Sequence, residues 1–408
     1  MAGSGKRSES RLQLTVLTTL LLTGLLLQNL LWFQPATLLP VIAEDLNLSY
    51  SQSGLSVSVL CLLAAIAGPF AGVFLIRAGL KHTFTLALLF LATGTTGTLF
   101  AHNFNVLLIM RILVGIGIGL TIPIPGVAAV SWFSEKRRPL LNSVYAALPY
   151  VATALNFGVS VRLFRAFDNN WKLTLAAPGL LLFVIAFFWL LQKQVRYDTS
   201  EVEDNKGISL GGITEILKDK QVRLICLAEA CDMWGFEFLS SYLITYLHES
   251  GLSLDKAAAY STIFPVSGII ACLVCGALMV YTGKRKIFTW PMHLTIFAGT
   301  LLIVFGTGYL QILGIFLAGF GNAGWAPALF TMPMEFKNTT AEKVGLVYSF
   351  MFSLGYLAAF ISPPLGGRIA QIVGLKFTIA IFAFFALLAA ICMFNMDETH
   401  GERNGKRN

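Results

Sequence analysis

Three carboxylates interrupt one of the apolar stretches of this sequence. The segment Ala228–Thr245, AEACDMWGFEFLSSYLIT, carries Glu229, Asp232 and Glu237. An ionised acid at the centre of a bilayer is costly, so such residues persist where they face a partner, a water-filled cavity or a cargo. There they can take up and release a proton, because loss of water favours the neutral form of an acid. The plainer alternative is an acid that sits near the membrane surface, or one that is protonated and merely packed. On an ideal helix Asp232 and Glu229 lie about 60° apart, and Asp232 and Glu237 about 140° apart. Asp232, nearest mid-depth, is the first candidate for a coupling or substrate-contacting group; Glu237 is the second and Glu229 the third.

Arg111 is the candidate of opposite sign within a span. It can pair with an acid or an anionic cargo in a cavity, or it can snorkel to the surface from the start of its segment. Asn29 and Gln34 in the first apolar segment, and Asn322 in a later one, can orient a ligand or bond between helices. Trp32, Trp234 and Trp325 can stack on a ligand or serve as packing. Tyr145, Tyr150 and Asn156 are weaker candidates of the same kind. Signatures of catalysis are absent: the sequence has neither HExxH nor GxSxG, and His248–Glu249 lacks a second histidine. Cys272 and Cys275 form a CxxC inside an apolar run without a second pair, which is poor grounds for metal or redox chemistry. All six cysteines read as small buried hydrophobes. We therefore expect no catalytic residue, no bound metal and no cofactor.

The elements that must position these groups are membrane helices. Of 408 residues, 56% are hydrophobic and only 12% charged, and the mean hydropathy is +0.73. A soluble domain carries about 25% charged residues. Twelve segments are long enough to span: approximately 13–42, 53–76, 83–101, 106–133, 140–161, 173–192, 223–247, 257–281, 286–306, 309–333, 344–367 and 376–396. The fold class is thus an all-α membrane protein. The first apolar run is too long for a cleaved signal and is taken as the first span. Roughly 22 of the 29 Lys and Arg fall on one side, including Arg77, Lys81, Lys136, Arg137, Arg138, Lys284, Arg285, Lys286 and both tails. That bias predicts both termini in the cytoplasm. It also explains the formal charge of +8 by topology and anionic lipid contact, without nucleic acid.

The longest polar stretch, Val195–Gln221, divides the spans six and six, with one short surface helix predicted over Leu210–Lys218. The predicted organisation is a tail (1–12), a six-helix bundle (13–194), a cytoplasmic linker (195–222), a second bundle (223–396) and a tail (397–408). The two bundles repeat. Asn29 and Gln34 precede Asp232 and Glu237 by the same 203 positions. Gly72 and Gly79 precede Gly276 and Gly283 by 204, as Gly115, Gly117 and Pro123 precede Gly319, Gly321 and Pro327. Such agreement marks an internal six-span repeat of one topology.

With these motifs in place the sequence resembles the major facilitator superfamily over about residues 12–396. The family's loop signature after span two is matched by Gly72, Arg77, Gly79 and Lys81, with Ile76 where an acid is usual. The second copy keeps Gly276, Gly283, Lys284 and Arg285, with Val280 and Tyr281 at the acid and base positions. Arg111, Gly115, Gly117 and Gly119 meet the fourth-span signature fully. Ala147, Leu148 and Pro149 keep only the proline of the fifth-span antiporter signature. The stretch from Gly319 to Gly367 is similar to the cyanate and nitroimidazole permease branch.

The resemblance implies twelve helices in two six-helix halves. Spans 1, 4, 7 and 10 would line a cavity, 2, 5, 8 and 11 flank it, and 3, 6, 9 and 12 face lipid. Arg77 and Lys81, with their counterparts, would meet helix ends and acids that hold a gate shut. Pro123, Pro125 and Pro327 would let gating helices bend. The expected protein is a monomeric, proton-coupled secondary transporter of a small organic solute, in the inner membrane, working by alternating access. A uniporter or an organic-anion permease without proton coupling is the alternative; a membrane enzyme and a non-transporting sensor are the rivals of other classes. The acids favour a cationic, zwitterionic or neutral cargo. The branch resemblance favours an anion, which would ask Arg111 to face the cavity. At this level both stay open.

Overall fold

The computed structural model describes residues 2–133, 138–192, 216–336 and 341–399. Among these there is helix and no strand. The helices run α1 (Ala2–Trp32), α2 (Gln34–Thr37), α3 (Leu39–Asp45), α4 (Tyr50–Thr96), α5 (Phe104–Thr121), α6 (Ile124–Trp132), α7 (Arg138–Ala166) and α8 (Trp171–Leu191). They continue with α9 (Lys220–Glu249), α10 (Leu254–Ser261), α11 (Ile263–Thr282), α12 (Trp290–Phe305), α13 (Tyr309–Gly324), α14 (Ala326–Leu329), α15 (Met332–Glu335) and α16 (Ala341–Phe394). Most of the polar linker, with the helix expected over Leu210–Lys218, lies outside the described residues, as do Lys136, Arg137 and the basic C-terminal tail.

Among the described residues, ten stretches of helix are long and apolar enough to cross a membrane. One of them, Lys343–Phe394, is 52 residues long and turns at Gly374, where φ is 83°, so it makes two crossings. The twelfth crossing is α9, 30 residues long, whose three acids and flanking charges separate it from the apolar ten. The protein is therefore an all-α, multi-pass membrane protein with the twelve spans expected.

Glycine and proline explain where the helices turn and break. Within α4, Gly79 has φ 77°; its partner in the repeat, Gly283, caps α11 at φ 67°. A side chain is disfavoured in that left-handed region. Span 4 breaks between α5 and α6 at Pro123, and span 10 breaks before α14, whose second residue is Pro327. Proline removes a backbone donor and clashes with the preceding turn, so both breaks fall where the repeat places a proline.

The repeat extends to packing. A Cβ on Gly117 would lie 2.7 Å from Leu91 Cγ and 3.0 Å from the Ala87 carbonyl, so α5 is pressed onto the second half of α4. A Cβ on Gly321 would lie 2.5 Å from the Met292 carbonyl and 2.8 Å from Ile296 Cγ1, so α13 is pressed onto α12. Small residues permit such close helix approach where apolar side chains would hold the backbones apart. The second contact seats span 9 directly against span 10.

The chain forms two compact units: Met1–Leu38 with Val59–Asp204, and Leu39–Ser58 with Asn205–Asn408. In the first, Leu21, Leu25, Phe84, Leu88, Val114 and Trp189 anchor an apolar core, with Phe84 edge-on to Trp189 at 4.9 Å. In the second, Ile225, Cys226, Trp325, Met351, Ala389 and Met393 do so. Residues 39–58, which the sequence-based division places in the first bundle, pack in the second unit. Tyr242 donates its hydroxyl to the Tyr50 carbonyl, Tyr50 donates to Glu249 at 2.7 Å, and Ser58 donates to the Phe360 carbonyl at 2.9 Å. Gly54 permits this: a Cβ there would lie 2.6 Å from the Pro363 carbonyl carbon.

Candidate functional site

Asp232 is the centre of a polar cluster buried inside the second unit. It stands on α9 with 4% of its surface exposed. Asn322, beside the close-packed Gly321 on α13, has its amide nitrogen 3.3 Å from Asp232 Oδ2. His293, beside Met292 on α12, is 0% exposed and places Nε2 3.6 Å from Asp232 Oδ1. Its Nδ1 lies 3.0 Å from the Thr289 carbonyl of its own helix. That carbonyl can only accept, so Nδ1 carries a hydrogen and Nε2 is the nitrogen turned toward the acid. The Trp325 indole covers the imidazole at 4.6 Å between ring centres. Beside Asp232 is a cavity of about 20 Å³ lined by Asn322, Thr300, Phe236 and Phe264 among others, room for a single water.

Close packing thus builds the cluster. Gly321 draws α12 and α13 together, and the residue next to each contact point reaches the same carboxylate. Glu229, one turn before Asp232, is also buried, and Gly355 on α16 leaves room for it: a Cβ there would lie 3.2 Å from Glu229 Cγ. Its Oε2 has no hydrogen-bond partner among the described residues. Glu237 is buried as well, but the helix turns by about 140° between it and Asp232. Trp234 stacks on Phe385 at 4.9 Å and 18°, against the last span.

The first unit uses its polar residues differently. Span 1 breaks between α1 and α2, with Pro35 at the start of α2, and carbonyls before the break lose their helical partners. Arg111, 3% exposed, donates to the carbonyls of Leu31 and Trp32 at 2.9 Å each. Asn156 donates to the Phe33 carbonyl at 2.8 Å. Gln34 donates to the Leu175 carbonyl of α8 at 2.9 Å, and Asn29 bonds to Leu25 and Gln28 of its own helix. The Trp32 ring packs half-buried against the apolar core. The guanidinium is away from the surface and binds the carbonyls of a broken helix.

The loop-motif residues also have places. Lys81 donates to the Gln192 carbonyl at the end of α8 at 2.7 Å, a cation on a helix C-terminus. Arg77 is exposed. Gly72 lies within α4, its surroundings outside the described residues. Gly276 faces Pro327, with a Cβ at 3.7 Å. The Lys284 backbone nitrogen bonds to Thr282. Arg285 pairs with Glu335 at 3.0 Å, donates to the Met279 carbonyl at 3.0 Å, and its backbone nitrogen donates to Glu398 at 2.8 Å. The sequence reading passes over His293 because its span is apolar and assigned to lipid. The available signal is the lone imidazole in WPMHLTIF.

Known proteins match this architecture along its length. The profile that describes the Major Facilitator Superfamily matches residues 20–362. A gallate transporter of Pseudomonas putida is 22% identical, over 87% of this chain and 85% of its own. A hexuronate transporter of Escherichia coli K12 is 21% identical, over 88% of each. Among solved structures, a bacterial homologue of the human lysosomal transporter Spinster, in an inward-facing and unoccupied conformation, superposes with a TM-score of 0.76. It is 14% identical and covers 94% of this chain and 96% of its own, a likeness of fold. With twelve spans, a six-span repeat and a family match over most of its length, the chain belongs to the Major Facilitator Superfamily and is a multi-pass membrane transporter.

Proposed function

We propose that this transporter carries small organic acids together with protons, by alternating access, as a monomer in the cell inner membrane with both termini cytoplasmic. The observation that carries the reading is Asp232: a buried acid whose basic neighbour is an imidazole, itself able to gain and lose a proton, and not the fixed charge of Arg or Lys. An acid locked to arginine is a strut; one beside histidine can exchange its proton. The relatives support the cargo class, since both are named for carboxylates. Bringing an anion into a cell works against the membrane potential at about 2.3 kcal/mol per charge per 100 mV. A proton carried with each carboxylate cancels that cost. The cargo then needs no fixed cation of its own, which fits an Arg111 engaged with backbone carbonyls.

The test is solute flux in sealed proteoliposomes with an acid exterior, across a panel of aromatic and sugar carboxylates and matched amines, for wild type and Asp232→Asn. The expected result is carboxylate accumulation with proton entry in wild type, and loss of accumulation in the variant. Equal entry of solute into both, with no proton movement, defeats the coupling; accumulation of amines alone defeats the cargo class.

A further inference from the structure

We infer that Asp232 and His293 hold one transferable proton between them, which makes His293 the second half of the coupling site. The inference rests on the proton-coupled reading above and deepens it.

The argument is geometric. His293 Nδ1 is committed to the Thr289 carbonyl at 3.0 Å, which leaves Nε2 as the titrating nitrogen. Asp232 Oδ2 accepts from the Asn322 amide at 3.3 Å, and Oδ1 is the oxygen turned to the imidazole. These two atoms face each other at 3.6 Å, with side-chain exposures of 0% and 3%. Without a proton, two bare lone pairs oppose one another in a dry site and repel. With one, either an acid hydroxyl faces a neutral imidazole or an imidazolium faces a carboxylate, and the contact becomes attractive in both forms. A second proton would leave a neutral acid beside an imidazolium, a buried positive charge with no counter-charge in the pair, which is costly. One proton is therefore the stable load. The other titratable groups around the pair are Glu229 and Cys231 on α9, Cys275 on α11 and Cys392 on α16; the non-titrating neighbours are Asn322 on α13 and Trp325 just past its end.

Charge follows directly. Loaded, the pair is neutral; unloaded, it carries one negative charge. Loading takes one proton from water on one side and makes one N–H or O–H bond. Unloading breaks that bond and returns the proton to water on the other side. The water-sized cavity against Asp232 is the local route. An unloaded pair repels a carboxylate cargo and a loaded one does not, so the proton binds first.

The test is His293→Gln beside Asp232→Asn and the double variant in the same proteoliposomes. Two readings are taken: accumulation under an acid-outside gradient, and solute exchange at equal pH. In His293→Gln, accumulation should fall at least tenfold further than exchange, and the double variant should be no worse than Asp232→Asn, because both changes remove the same proton. Should a variant fail to fold, pH-difference infrared spectra of wild type decide the matter. The Asp232 carboxyl band and an imidazole band should change in one step releasing one proton. Wild-type-like accumulation by His293→Gln, equal loss of exchange and accumulation in a folded variant, or two separate spectral steps overturn the inference. Absence of proton movement in wild type overturns the parent reading as well.

Discussion

Arg111→Gln separates a structural guanidinium from a cargo-binding one. In the structure the side chain makes two bonds of 2.9 Å to the carbonyls of Leu31 and Trp32. Hydrogen bonds to a charged group contribute about 1.5–3 kcal/mol each, so the pair contributes roughly 3–6 kcal/mol before costs. Burying the guanidinium cancels part of that. Removing it also leaves carbonyls exposed by the helix break without a donor, at about 1–3 kcal/mol each. A net loss near 3 kcal/mol is the expectation, roughly the lower end of the gross figure. For a folding unit of this size, each kcal/mol moves the melting temperature by about 2–4 °C. Arg111→Gln should therefore melt roughly 6–12 °C below wild type. Arg111→Lys, which keeps the charge but not the fork, should fall between. The assay is tryptophan-fluorescence melting of purified protein in detergent, paired with solute titration. A variant that melts with wild type yet binds solute far more weakly would refute the clamp and assign the guanidinium to the cargo.

Two further outcomes follow from the motif residues. Arg285→Ala keeps the backbone contact to Glu398 but removes the ion pair that holds Glu335, the acid to which Thr399 of the tail donates at 2.7 Å, so the C-terminal tail should become more sensitive to limited proteolysis. High salt should produce part of the same change in wild type, since the Arg285–Glu335 pair is only half-buried. Gly79→Ala forces a side chain into the left-handed region and should cost about 1–2 kcal/mol. Gly276→Ala, whose new Cβ would meet Pro327 at an ordinary 3.7 Å, is the neutral control; equal melting of the two variants would show that the kink tolerates a side chain.

The spans, their number and their repeat were legible in the sequence because each rests on a period or a spacing. Apolar runs report length, and glycine and proline mark turns and breaks in register, as Gly79 with Gly283 and Pro123 with Pro327 show. Asp232 was legible because an acid in an apolar run is costly. Of its neighbours, Asn322 and Trp325 were legible as polar and aromatic residues within a span, and His293 was not. His293 has no periodic signature, and only the close approach at Gly321 brings it to α9. Arg111 offered two readings in sequence, cavity or surface. Its use on the Leu31 and Trp32 carbonyls depends on a break in span 1 that hydropathy does not report. The Asn29–Asp232 correspondence is real in position but not in partners, since Asn29 bonds within its own helix and Asp232 across to two others. A repeat conserves placement on the helix; the neighbours decide what each side chain does there.

The packing of residues 39–58 within the second unit also bears on how the protein is made. Tyr50 and Tyr242 are 192 residues apart in the chain, and Ser58 and Phe360 are 302 apart. At about 5–20 residues per second of synthesis, this segment leaves the ribosome roughly 10–60 s before the helices that cover it. By the end of that interval the first six spans have also been made. Yet a hydroxyl at Ser58 and a helix face cleared by Gly54 wait without their partners. The first half of the chain is thus born with a surface shaped for a second half that does not yet exist, and whatever inserts it must shelter that surface until the eleventh span arrives.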